Sequence, residues 1–103
     1  PLAATVISKE FENKKITLIY NSYADKDYVE VLRILKPIIK ELIIIELDDK
    51  RIVKKEELQK TIKQLNIKNN GTIKIEENED YLVFGSFLVV EKFLSLIGFN
   101  EFL

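Results

Sequence analysis

Residues 16 to 36, ITLIYNSYADKDYVEVLRILK, constrain this chain more than any other stretch. An apolar, β-branched run from Ile16 to Tyr20 stops at the polar segment Asn21-Ser22-Tyr23-Ala24-Asp25-Lys26-Asp27. Helical periodicity begins directly behind it. Tyr28, Leu32, Leu35 and Ile39 follow the i, i+4, i+7, i+11 spacing of one buried helix face, and Val31 and Ile34 widen that face. The reading is therefore strand, loop, helix. In open α/β sheets, ligands bind in the loops beyond the carboxyl ends of the strands. The triplet Asp25-Lys26-Asp27 lies in such a loop.

The rest of the chain reads around this unit. Residues 1 to 13 carry a loose helical pattern, with Pro1 suited to a first turn. Pro37 lacks the N–H that a helix interior needs, so the second helix is expected to kink or end near it. Leu42 to Leu47 is a nearly unbroken apolar run, the pattern of a strand covered on both faces. Lys54 to Leu65 is amphipathic, with Leu58, Ile62 and Leu65 on one side. Asn69-Asn70-Gly71 signals a turn. Thr72 to Glu76 then alternates apolar and polar residues and reads as an edge strand. Tyr81 to Phe84 reads as a second fully buried strand. Gly85-Ser86 leads from it into a last helix, Phe87 to Ile97, stopped by Gly98. The aromatic tail, Phe99 to Leu103, is expected to pack back on the body.

The resulting order, α-β-α-β-α-β-β-α, predicts one α/β domain over residues 1–103. It is a three-layer α-β-α arrangement around a mostly parallel sheet of four or more strands, with an edge strand.

Composition sets limits on function. A chain of 103 residues can bury roughly 60–65% of its unfolded surface. With 47% hydrophobic and 32% charged residues it is globular, and its net charge of −1 gives no basic face for nucleic acid. Cys and His are both absent. Their absence removes thiolate chemistry, Ser-His-Asp catalysis and His-ligated zinc, and it is compatible with a reducing cytoplasm. The longest apolar runs fall far short of the ~20 residues of a membrane span, and no signal peptide is visible. Cytoplasmic location is the expectation. The opening Pro1-Leu2-Ala3-Ala4 reads as a piece cut from something longer or as a processed chain.

Two strand-to-helix junctions carry the candidate chemistry: Asn21 to Asp27, and Gly85-Ser86-Phe87. Parallel strands would put both on one rim, each offering backbone N–H groups at the positive end of a helix. Lys26 adds an ammonium. Ser86 adds a hydroxyl beside a glycine that permits close approach. A carboxylate held between Lys26 and Ser86 is chemically sensible. Plainer roles exist for the same residues. Asp25 or Asp27 can be an N-cap, Lys26 a solvated surface lysine, and Gly85-Ser86 an ordinary turn. The pairs Asp25/Asp27 and Asp48/Asp49 have the composition of a Mg²⁺ site, although adjacent aspartates are usually solvated. Tyr20 and Tyr23 alternate with the loop and can wall a pocket or simply pack. Neither G-x-x-x-x-G-K-[ST] nor G-x-G-x-x-G occurs.

Taken in order, the loop with Asp-Lys-Asp, the Leu-x-Pro helix, the buried strand and Tyr-x-Val-x-Gly-Ser form a recognisable set. The chain resembles the C-terminal domain of folylpolyglutamate synthase and the bifunctional dihydrofolate synthase, of the Mur ligase superfamily. Pro1-Leu2-Ala3-Ala4 is similar to the residues after the Asp-x-x-His-Asn that precedes this domain in the family. The resemblance implies an ATP-dependent ligase. A P-loop domain, absent here, binds ATP and Mg²⁺ and makes an acyl phosphate on a folate or pteroate carboxylate, which the amino group of glutamate attacks. Lys26 and Ser86 are by position similar to family residues near the incoming glutamate, with Asp25, Asp27 and Gly85 shaping the loops around them. The implied partner is that P-loop domain of the same chain, and the fragment alone is expected to be inactive. The glycine often found after the first strand is missing here.

Two other classes are open on the residues alone. One is a free-standing binding or regulatory module of receiver type, against which the strand end Tyr20-Asn21-Ser22 argues, because that class needs acidic residues there. The other is an interaction domain docking through Phe99 and Phe102.

Overall fold

Side-chain alternation in three short strands sorts the hydrophobic residues into two cores, one on each side of a sheet. The computed structural model describes residues 2–98. In chain order the elements are α1 (Leu2–Glu10), β1 (Ile16–Tyr20), α2 (Tyr28–Leu35), a 3₁₀ turn (Lys36–Ile38), β2 (Ile39–Ile44), α3 (Lys55–Gln64), β3 (Tyr81–Phe84) and α4 (Phe87–Leu96). The strands are parallel and ordered β2-β1-β3, with β1 in the centre. Every residue of β1 is buried.

Ile16, Leu18 and Tyr20 point to one face, where they meet Leu32 and Leu35 of α2, Leu58 and Ile62 of α3 and Ala4 of α1. Ile19 points to the other, with Ile43, Ile45 and Val89 of α4. The period-two alternation of a strand produces this division. The expected three-layer α/β architecture is therefore present, with α4 alone supplying the helical layer on the second face among the described residues.

Several details differ from the sequence reading. The sheet has three strands among the described residues, not four or more, because Thr72 to Glu76 forms no ladder. The chain meets the outer edge of β2 earlier, at a single parallel bridge between Leu42 and Asn69. Asn70 then turns it away, its side chain accepting the Thr72 N–H at 3.1 Å. Farther on, the Tyr81 hydroxyl accepts the Glu76 N–H and donates to the Lys74 carbonyl. Side chains thus take the hydrogen bonds that a strand partner would have supplied. Ile73 packs against the second core, whereas Ile75 stays half exposed.

Ile39 opens β2 instead of closing the face of α2. Pro37 sits in the first turn of the 3₁₀ segment, which ends the α-helix at Leu35. As a result β2 starts before Leu42, and Ile45 to Leu47 lie beyond its ladder. β3 is half-buried because it forms the sheet's other edge, not a strand covered on both faces. The expectations for Pro1 and for the tail from Phe99 to Leu103 lie outside the described residues. Among the described residues, no helix is long and apolar enough to cross a membrane.

Two substitutions check this architecture by urea denaturation. Leu18→Ala, in the fully buried central strand, should cost about 2–5 kcal/mol. Ile75→Ala should stay within about 0.5 kcal/mol of the parent; a cost approaching that of Leu18→Ala would mean that residues 72–76 pair as a strand after all.

Candidate functional site

Because the three strands are parallel, their carboxyl ends lie on one rim of the sheet. β1 and β3 are neighbours in register, with Tyr20 opposite Phe84. Those two rings stack with centroids 6.4 Å apart and planes 12° from parallel. The chain segments that leave from Asn21 and Gly85 therefore depart side by side. They are in direct contact. A Cβ on Gly85 would lie 2.0 Å from the Asn21 carbonyl oxygen, and Gly85 has φ of +139°. Only glycine meets both demands.

A cleft of about 360 Å³ opens between the two junctions. Its walls are largely apolar: Tyr20, Tyr23, Val31, Phe84 and Phe87. Ser22, Lys26, Asp27 and Ser86 are the polar side chains lining it. Ser86 occupies the N-cap position of α4, yet its side chain makes no capping hydrogen bond. Its Oγ is buried and has no partner among the described residues. Lys26 is exposed and forms no ion pair among the described residues.

Of the residues singled out from the sequence, the structure brings Lys26, Asp27, Gly85 and Ser86 to one cleft. Asp25 is exposed and does not line it. Asp27 is engaged locally, since its Oδ1 accepts the Glu30 N–H at 3.2 Å and caps α2. Tyr20, at the end of β1, and Tyr23 of the loop both wall the cleft. Burial pushes the Tyr20 phenol up to about 12, an effect that a hydrogen bond with Ser22 partly offsets.

The loop after β2 closes the rim, a role the sequence reading did not assign to it. The Arg51 guanidinium donates to both carboxylate oxygens of Asp49, at 3.0 and 2.8 Å, and its backbone N–H adds a bond of 2.8 Å. Together these hydrogen bonds hold the Asp49 carboxyl down to about 2. Arg51 also lies 4.9 Å from the centre of the Tyr23 ring. Its carbonyl accepts the Ala24 N–H at 2.8 Å, beside an antiparallel bridge between Tyr23 and Ile52. Asp49 is thus committed to Arg51. Among the described residues there is no cluster of three or more potential metal ligands. The signal for this fastening was Asp-x-Arg in a polar loop on the same rim.

No protein-family model and no curated protein sequence matches the chain. Among solved structures it is similar to Helicobacter pylori folylpolyglutamate synthetase, with a TM-score of 0.88 and 42% sequence identity over 93% of this chain. The chain spans 26% of that protein's length. The resemblance read from the sequence is borne out: fold and sequence both match a domain of a folylpolyglutamate synthetase, an enzyme of the ligase class.

Two measurements follow from this geometry. Gly85→Ala should lose about 1–3 kcal/mol in chemical denaturation, because it forces both a left-handed backbone and a clash with Asn21; parental stability would mean that the junctions do not touch. Tyr20 is neutral in both states below about pH 10, the unfolded phenol ionises first, and its folded value is about 12. Stability should therefore be undiminished below pH 10 and fall between pH 10 and 12, by at most about 1.4 kcal/mol per pH unit. Tyr20→Phe should flatten this limb of the stability curve.

Proposed function

We propose that this chain is the C-terminal, glutamate-gripping domain of a folylpolyglutamate or dihydrofolate synthase. In that reading the whole enzyme is an ATP-dependent ligase that joins the amino group of glutamate to a folate or pteroate carboxylate activated as an acyl phosphate. The domain supplies one wall of the site. The observation that carries the reading is that Ser86, whose buried hydroxyl has no partner among the described residues, lines the same cleft as Lys26. A buried hydroxyl without a partner is costly. A carboxylate entering the cleft would accept its hydrogen bond and the charge-assisted bond of the Lys26 ammonium together.

Each residue has a stated task. Lys26 attracts and orients a carboxylate of the incoming amino acid, and Ser86 fixes the direction of that group. Gly85 lets the junction come close to Asn21 and so keeps Ser86 over the cleft. Asp27 caps α2 and thereby holds the loop that bears Lys26, with Asp25 at the turn before it. These residues bind and orient, and none transfers a proton or a phosphoryl group.

ATP and Mg²⁺ do not fit the residues present. The sequence has neither G-x-x-x-x-G-K-[ST] nor G-x-G-x-x-G, and the described residues hold no cluster of three metal ligands. Both belong to the P-loop domain of the longer chain, which is the partner this reading requires, so the isolated domain is expected to be inactive. The location is cytoplasmic. The 42% identity to the synthetase domain supports the assignment to this ligase family.

Titrating the 103-residue domain with glutamate, followed by amide NMR shifts, tests the cleft. Shifts should concentrate at Lys26, Gly85, Ser86 and Phe87. Lys26→Ala should weaken binding by roughly 10–150-fold, the loss of a charged hydrogen bond worth about 1.5–3 kcal/mol. In the longer enzyme the same substitution should raise the KM for glutamate. Unchanged affinity in a folded Lys26→Ala variant would remove this residue from the site.

A further inference from the structure

We propose that Asn21 is the positioning residue of the rim cleft, its buried carboxamide setting where Lys26 and Ser86 stand relative to one another. The functional part of this inference rests on the reading of the cleft as a carboxylate site.

Asn21 is only 4% exposed and lies one residue beyond the end of β1. It does not line the cleft, so it can act only through its neighbours. Its Nδ2 donates to the Ile45 carbonyl at 2.7 Å, and its Oδ1 accepts the Ser22 N–H at 2.8 Å. The nearest backbone bond between these segments is the Ile45 N–H to the Tyr20 carbonyl, at 3.1 Å. The carboxamide therefore adds a side-chain rung where the two strands would otherwise part. Ser22, fixed by that rung, accepts the Val53 N–H at 2.9 Å and ties in the end of the loop after β2.

On the other side, the Asn21 carbonyl oxygen is the atom that Gly85 approaches closely enough to exclude a Cβ. All three loops of the rim thus meet at Asn21. The loop with Lys26 continues from it, the loop after β2 is hydrogen-bonded to it, and the junction with Ser86 rests on it. A buried amide needs partners for both its donor and its acceptor, and here both are engaged. An apolar residue of the same volume would fill the space without making the rung.

Asn21→Asp separates shape from hydrogen bonding. It keeps the size and the acceptor for Ser22 but sets a carboxylate oxygen against the Ile45 carbonyl. At neutral pH, the glutamate affinity of this variant should fall about tenfold. Amide exchange should accelerate at Lys26 and Val89, whose N–H groups donate to the Tyr23 and Ser86 carbonyls, while Leu32 and Leu42 keep their protection. On acidification, the protonated Asp regains a donor toward Ile45. Both the affinity, normalised to the parent at the same pH, and the protection should then recover. The charged groups of the rim, Asp25, Lys26, Asp27, Asp49 and Arg51, and the neutral Tyr20 phenol are common to parent and variant, so the normalisation removes them.

If Asn21→Asp does not fold, Asn21→Ser replaces it. That variant should show the same loss with no recovery in acid. Parental affinity and exchange in either variant at neutral pH, or a loss in Asn21→Asp that acid does not reverse, would overturn the proposal. Should the parent itself not bind glutamate, only the carboxylate reading fails, and the exchange at Lys26 and Val89 still decides the role of Asn21.

Discussion

The parallel, in-register pairing of β1 with β3 is the constraint on which the rest of this domain depends. It places Tyr20 opposite Phe84, so that both chains leave the sheet at the same height. The next residue on each strand then has a neighbour at van der Waals distance. Asn21 answers with its backbone carbonyl, and Gly85 with the absence of a side chain. One residue later, Ser86 stands at the start of α4 with a buried hydroxyl that has no partner among the described residues. A shift of this pairing by one position would invert the faces of β3, exposing Leu82 and Phe84 and dissolving the cleft.

Legibility in the sequence followed the strength of the local pattern. The strand from Ile16 to Tyr20 and the helix behind it were readable because a β-branched run, an N-cap and a 3.6-residue period agree with one another. The junction at Gly85 was readable because strand and helix patterns abut with only Gly-Ser between them. The stretch from Thr72 to Glu76 misled for a definite reason. Its alternation is genuine, but alternation says which residues can share a face, not whether a partner strand is available. Tyr81 and Asn70 took those hydrogen bonds instead. Ile39 misled because apolar spacing carries through a proline that the backbone cannot follow.

Within the site, the residue types foretold their positions better than their occupations. Asp27 does what an aspartate before a helix ordinarily does, which is to cap it. The side chains of Lys26 and Ser86 differ from it: among the described residues Lys26 has no ion pair and the Ser86 hydroxyl no hydrogen-bond partner. Asn21 was read as the start of a rim junction, but its bond across to Ile45 was not legible, nor was the place of Arg51 on the rim. Their contacts join segments some 24 to 28 residues apart, such as the Asn21 carboxamide with the Ile45 carbonyl and the Arg51 guanidinium with the Tyr23 ring. Only the folded arrangement of strand ends brings these partners together.

The central claim is that two chain crossings on one rim hold a carboxylate between an ammonium and a hydroxyl. A crystal structure of the domain grown with glutamate measures this most directly. The account predicts one glutamate carboxylate within about 2.7–3.1 Å of both Ser86 Oγ and Lys26 Nζ, in the cleft walled by Phe84 and Tyr23. A glutamate bound elsewhere, or Lys26 and Ser86 found on opposite rims of the sheet, would contradict it.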